Sequence, residues 1–456
     1  MADRPSVSRD GSAIDRLLRL FSEVRAGEGF TALLLMSNLF LLLTAYLIIK
    51  TVREALILSE GGAVVKSYAA AGQALLLVAI VPIYSAVASR VRRIPLINGV
   101  TSFCIAVLIT FYLFGRRGFS LGVPFFLWVG IFNLFVVAQF WSFANDLYSP
   151  DQGKRLFPII AFGGALGAIL GPKIAALLFQ SLGAAGLMLL AAAILLLCII
   201  ATNWIHGRAT AKGRADDVAT MPLNKQGAFQ LVIGHRYFLL IAALMVILNL
   251  VNTTGEYILG QKVSEEAERF TTVETVSAPG GEKTPATAIS RMKMQQYIAG
   301  FYGDFFSTVS LLSALAQLFL VSRIMKVFGV AASLWFMPLI VFGGYSVVAI
   351  APVLASIHFA KVLENSTDYS LQNTVRQALF LPTSREAKYK AKAAIDTFFV
   401  RIGDLCSTGL VFLSVQLSLT SRTLSIVNLS LVVLWLVLVL SIARSYRSLA
   451  VAENPR

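Results

Sequence analysis

The sequence predicts an all-α membrane protein with twelve transmembrane helices in two halves of six. Three observations carry this expectation. Mean hydropathy is +0.75, with 57% of residues hydrophobic and only 14% charged, more apolar surface than a soluble core of this size can bury. Apolar stretches of roughly 20 residues, long enough to cross ~30 Å of hydrocarbon, recur along the whole chain. The formal net charge of +15 resides largely on Lys and Arg lying between those stretches, which is a topology signal rather than the footprint of a nucleic-acid binder.

In chain order, residues 1–28 carry alternating charges with no apolar h-region or small-residue cleavage site, so they are expected to form a cytoplasmic segment and not a removable signal peptide. Within it Ile14, Leu17, Leu18, Phe21 and Val24 recur at helical spacing among Arg16, Arg19 and Arg25, a pattern that suits the inner membrane surface. The first half, 29–205, holds spans near 29–50, 67–89, 94–114, 121–143, 156–181 and 183–205. A basic connector over 206–236 follows, with His206, Arg208, Lys212, Arg214, Lys225 and Arg236. The second half, 237–445, holds spans near 237–260, 298–322, 327–350, 351–378, 394–418 and 421–445, and leaves 446–456 as a tail. Between spans seven and eight, 261–296 is polar, rich in Glu and interrupted by Pro279-Gly280-Gly281, and is expected to be a mobile outer loop.

Sidedness follows from the short loops. Arg90, Arg92 and Arg93, then Lys154 and Arg155, the connector, Arg323 and Lys326, and Lys388, Lys390 and Lys392 alternate with loops poor in cations. Both termini are therefore expected in the cytoplasm, against the contrary pair Arg116 and Arg117. The two halves also echo each other. Lys50-Thr51-Val52-Arg53-Glu54 near the end of span one matches Asn252-Thr253-Thr254-Gly255-Glu256 in span seven, and Leu147-Tyr148-Ser149-Pro150 resembles Leu379-Phe380-Leu381-Pro382. Such parallel repeats fit a major-facilitator-type architecture with a solute site near the midplane, where the halves meet.

Ionisable side chains inside spans cost ~3 kcal/mol or more at a helix centre, so each should face a cavity or a partner. They are Lys50, Arg53 and Glu54 at the end of span one, Asp146 just after span four, Lys173 in span five, Glu256 in span seven, Asp304 in span eight, Lys361, Glu364, Asp368 and Arg376 in span ten, and Asp396, Arg401 and Asp404 in span eleven. Cations converging on a cavity suit a multiply charged anion, because ammonium and guanidinium groups can replace the water around anionic oxygens. The alternative for many of them is an internal ion pair, such as Arg53 with Glu256 or Arg401 with Asp404. In span five Gly163, Gly167 and Gly171 repeat every fourth residue, a stripe for close helix packing. There is neither a GxxxxGK phosphate loop nor a GxGxxG turn, which excludes a pump carrying its own nucleotide motor. His358 is expected to be a packing residue, and Cys104, Cys198 and Cys406 to be buried thiols with no metal-ligand spacing. No cofactor and no nucleic-acid partner are expected.

The chain resembles the non-mitochondrial ATP/ADP translocases, the nucleotide transporters of plastids and obligate intracellular bacteria with their relatives in other bacteria. The likeness is carried by Tyr46-Leu-Ile-Ile-Lys50-Thr-Val-Arg53-Glu54, by Phe143-Ala-Asn145-Asp146 with Lys154-Arg155-Leu-Phe157-Pro158, and by the glycine-rich span five. Asn249-Leu-Val, Tyr302-Gly303-Asp304-Phe305, and Tyr369-Ser-Leu running on to Lys388-Tyr-Lys390-Ala-Lys392-Ala-Ala-Ile-Asp396 extend it. The resemblance implies a twelve-helix fold that exchanges nucleotides by alternating access, with Arg53 falling on a family lysine that matters for transport. Three departures stand out: Asn252 and Glu256 replace a family Glu and Lys, Asp404 stands where the family has Lys, and Arg376-Gln377-Ala378 replaces Lys-Glu-Met. The substrate-binding candidates are Lys50, Arg53, Glu54, Asn145, Asp146, Asn252, Glu256, Asp304, Arg376 and Arg401. The expected partners are a lipid bilayer, that of a bacterial inner membrane, and a small anionic solute for which the resemblance suggests ATP or ADP. The rival readings are a proton-coupled transporter of an unrelated solute and a non-transporting membrane scaffold.

Overall fold

The computed structural model describes residues 23–25, 27–88, 90–210, 228–276, 286–383 and 391–453. Among them regular structure is helical throughout: α1 Gly29–Ala88, α2 Arg93–Arg116, α3 Gly122–Leu147, α4 Pro150–Thr210, α5 Ala228–Gly234, α6 Arg236–Val276, α7 Ala286–Ala316, α8 Ser322–Ser333, α9 Phe336–Ile350, α10 Leu354–Thr367, α11 Asn373–Ala378, α12 Lys392–Ala394, α13 Val400–Gln416 and α14 Ser421–Glu453. Eight helices among the described residues are long and apolar enough to cross a membrane, and the chain is an integral membrane protein. Helices are the natural solution in hydrocarbon, because every backbone N–H and C=O is then satisfied within its own segment. Two of the longest are bent. In α1, Gly62 has φ 66° and ψ −172°, and in α4, Gly183 has φ 64° and ψ −178°. That backbone region is essentially open to glycine alone, so each glycine ends one helical rod and starts another.

Two compact units can be distinguished. The first comprises described residues within Met1–Ala55, Val81–Ala219 and Tyr302–Ser307. Its core includes Leu35, Leu39, Ile48, Phe125 and Phe132, all nearly inaccessible. The α4 glycine stripe lies directly on α1: a Cβ at Gly163, Gly167 or Gly171 would collide with the carbonyl oxygens of Met36, Phe40 and Thr44 respectively. The close packing read from their spacing is therefore present, and its cause is backbone-to-backbone approach. At the entrance to α1 the buried Glu28 accepts hydrogen bonds from Arg155 at 3.0 Å, from Gln152 at 3.0 Å and from the Arg25 backbone N–H at 3.0 Å. Burial pushes the Glu28 carboxyl up, but these donors outweigh it and hold the group below its usual value of 4.5.

The second unit comprises described residues within Leu56–Ile80, Thr220–Phe301 and Thr308–Arg456. Helix α6 runs through it and packs on α10, α13 and α14, and α9 packs on α10 and α14. Single π-helical turns interrupt the helices at Gln317–Val321, Asp368–Gln372 and Ile395–Phe399. Such turns place an extra residue in the helix and often accompany functional sites; here two of them carry a carboxylate, Asp368 and Asp396.

Several expectations need correction. The polar stretch 261–296 is not a loop over most of its length: α6 continues to Val276 and α7 begins at Ala286. The charges that suggested a loop stabilise helix instead, through Lys262 with Glu265 at 2.6 Å and Arg269 with Glu266 at 3.2 Å, both three residues apart. Likewise α4 reaches Thr210 and α5 occupies Ala228–Gly234 within the expected connector. Cys104 and Cys198 are buried, but Cys406 is exposed because it lies on the outward face of α13. The amphipathic pattern over 14–25 falls mostly outside the described residues, as do Lys212, Arg214, Lys225, Lys388 and Lys390.

Candidate functional site

In the first unit, the end of the first rod of α1 carries Lys50, Arg53 and Glu54. Lys50 and Arg53 are three residues apart and so share one face. The Lys50 ammonium lies 4.1 Å from the centre of the Phe306 ring, and the Arg53 guanidinium lies 4.6 Å from that of Phe126. Each cation is thus held against the electron-rich face of an aromatic ring, which partly replaces lost water. Arg53 also bonds the buried Glu54 carboxylate through Nε at 3.1 Å and through its terminal nitrogen. One helical turn earlier, Tyr46 stacks on Phe132. Lys173 and Asp304 form an exposed ion pair. Asp146 pairs with Arg93 at 2.8 Å on the exposed ends of α3 and α2, and Asn145 beside it is exposed.

In the second unit, Asn252 and Glu256 sit one turn apart on α6 and meet α10. The fully buried Lys361 ammonium donates to the Asn252 side chain at 2.6 Å and its carbonyl at 3.2 Å, and lies 3.1 Å from Glu364 and 3.6 Å from Glu256. Glu256 also accepts from Asn365 at 3.1 Å and has Lys66 at 3.9 Å. The Tyr345 hydroxyl of α9 lies 3.2 Å from Glu364. Room for this comes from Gly255, where a Cβ would strike the Tyr345 hydroxyl and come within 3.1 Å of Lys361. Elsewhere in the unit, Arg401 pairs with Asp404 at 3.0 Å, as the sequence suggested, and Asp404 also accepts from Thr253 at 3.0 Å. Arg376 bonds the Asn373 side chain at 3.0 Å and lies 3.9 Å from Asp396. His358 packs edge-on against Phe301.

The structure therefore brings Lys50, Arg53 and Glu54 together in one unit and Asn252 and Glu256 together in the other. Asp304, Arg376 and Arg401 each have a separate partner, and Asn145 and Asp146 stand at an exposed helix end. The sequence recorded Lys361 and Glu364 as charges within a span but did not place them in the site, although their spacing of three residues was a signal. Lys66, Tyr345 and Asn365 were missed, because a lysine at a span end and polar residues inside apolar runs have no distinctive pattern.

The fold is similar to that of solved transporter structures. The fold is similar to the POT family transporter PepTSo, with a TM-score of 0.60 at 12% identity over 92% of this chain and 98% of that one. It is equally similar to the nucleoside transporter NupG, with a TM-score of 0.60 at 12% identity over 92% of this chain and 98% of that one. At the sequence level, the profile of the TLC ATP/ADP transporter family matches residues 125–446, and the chain belongs to that family. It is 22% identical over 350 residues to ADP,ATP carrier protein 1 of Chlamydia muridarum, covering 65% of this chain and 60% of that protein. It is also 22% identical over 360 residues to the chloroplastic ADP,ATP carrier protein 1 of Arabidopsis thaliana, covering 71% of this chain and 53% of that one. The match thus spans between about half and 60% of the length of these curated relatives.

Proposed function

We propose that this protein is a secondary transporter that moves or exchanges a nucleotide or a related organic anion by alternating access. The observation that carries the reading is family membership over most of the chain, which includes cations held inside apolar helices. In this reading Lys50, Arg53 and Arg376 bind anionic oxygens, and Glu54, Asn145, Asp146, Asn252, Glu256, Asp304 and Arg401 shape or gate the route. Twelve crossings are part of the proposal, supported by the breaks at Gly62 and Gly183 within two long helices and a further break at Gly329. The halves are proposed as 29–205 and 237–445, with both termini on the cytoplasmic side of a bacterial inner membrane.

The substrate is inferred to carry less charge than ATP. The two carboxylates at positions where the resemblance implies lysines each engage a cation of this chain, Glu256 with Lys361 and Lys66 and Asp404 with Arg401. Cations so engaged are less available to a triphosphate than the family lysines would be. The test is uptake of labelled ADP, ATP and sugar phosphates into proteoliposomes. Saturable uptake that favours the less charged anions supports the reading, and failure of every anion to enter refutes it.

A further inference from the structure

We propose that Glu364, within the buried cluster of the second unit, is a proton-binding site through which transport is coupled to a proton gradient. This deepens the transporter reading and rests on it only for the coupling, not for the site.

Charged and polar groups from several helices surround Glu364 and its partners. On its own helix α10 the partner is Lys361, and Asp368 follows four residues on in the π-helical turn. Tyr345 of α9 touches Glu364 directly and Glu256 of α6 meets the same Lys361; behind them Lys66 of the second rod of α1 approaches Glu256, and the neutral Asn428 of α14 bonds the Val251 carbonyl that Tyr345 also reaches. Lys361 and Glu364 are almost wholly enclosed, at 1% and 2% relative exposure, whereas the Glu256 side chain retains 26%. One enclosed ammonium thus serves two carboxylates, the outer of which has a second cation, Lys66. Two like charges sharing one cation in a low-dielectric site favour uptake of one proton.

The hydrogen bonding suits both protonation states. When Glu364 is ionised, the Tyr345 hydroxyl donates to its Oε2 at 3.2 Å, while Lys361 donates to Oε1 at 3.1 Å. When a proton adds to Oε2, the new O–H donates to the Tyr345 oxygen. The phenolic hydrogen then turns to the Val251 carbonyl, 3.4 Å away. Neither state strands a buried donor, which an ion pair with a single purpose would not require. The step is a proton transfer only: water delivers the proton by way of the half-open Glu256, the Glu364 O–H forms, and the same bond breaks when the proton leaves to water. Protonation leaves Glu256 as the ionised carboxylate paired with Lys361 and adds one positive charge to the cluster. That change favours an anionic solute and so links the two occupancies.

The test has two readouts on the full-length reconstituted protein. The first is pH-difference infrared spectroscopy without solute, following the protonated-carboxyl C=O stretch. The wild type is expected to show a titrating band that disappears in Glu364→Gln and shifts in Tyr345→Phe. No such band in the wild type, or a band unchanged in both variants, overturns the site. The second is labelled ADP uptake under an imposed gradient. One pH unit is expected to raise accumulation up to about tenfold in the wild type and not in Glu364→Gln. Gradient stimulation that survives in Glu364→Gln overturns the coupling. A titrating Glu364 band with no ADP uptake at all upholds the site and refutes the nucleotide reading instead.

Discussion

Gly255 illustrates how one residue can admit a whole cluster. A methyl group there would meet the Tyr345 hydroxyl and crowd Lys361, so Gly255→Ala is expected to lower stability by about 1–3 kcal/mol through overpacking. The hydroxyl is the obstructing atom, and Tyr345→Phe in the same chain should return part of that loss. Thermal unfolding of the two single variants and the double variant in detergent measures this as a non-additive cycle. At the entrance to α1, burial raises the Glu28 carboxyl, but hydrogen bonds from Arg155, Gln152 and a backbone N–H outweigh it and hold the group below its usual 4.5. A carboxylate depressed in the folded state contributes stability above its unfolded value and loses it as pH falls through the folded one. The stability difference between wild type and Glu28→Gln should therefore be full at pH 7 and shrink only below pH 4.5. A difference that shrinks between pH 7 and pH 5 would point to another group.

At the scale of elements, the broken helices and the glycine stripe control the packing. Nothing lies within 4 Å of where a Cβ would stand at Gly62, so the cost of Gly62→Ala is conformational: about 1–3 kcal/mol for a residue forced into a glycine-only region. Gly167→Leu should be far worse, since its side chain would have to displace the α1 backbone at Phe40, and loss of monodisperse protein in size-exclusion chromatography is the expected result. Much of this was legible in the sequence. The fourfold glycine spacing foretold the close contact, and the apolar runs located the helices. What could not be read were helix ends in polar sequence. Residues 261–276 have the composition of a loop, yet Lys262 with Glu265 and Glu266 with Arg269 support a helix, an i,i+3 effect that composition hides. The candidate site was half legible for a similar reason. Charges inside spans announced themselves, but their partners on distant segments, Tyr345 and Lys66 above all, emerge only when helices are packed.

For the whole molecule, the alternation of basic loops predicts that twelve crossings return the chain to its starting side. Reporter fusions at residue 456 and within 277–285 should then label opposite faces of the membrane, and fusions that report the same face would contradict the twelve-helix topology. Transport of an organic anion depends in this account on cations held in apolar surroundings, with Arg53 set between Glu54 and the Phe126 ring. Loss of a charge-assisted contact of about 1.5–3 kcal/mol corresponds to about tenfold or more in affinity. The most direct measurement is saturable uptake of labelled AMP, ADP and ATP into proteoliposomes holding the wild type or Arg53→Ala. Uptake is expected to be weakest for ATP and to fall about tenfold or more in the variant. Well-saturated ATP-for-ADP exchange that is indifferent to Arg53→Ala would contradict it.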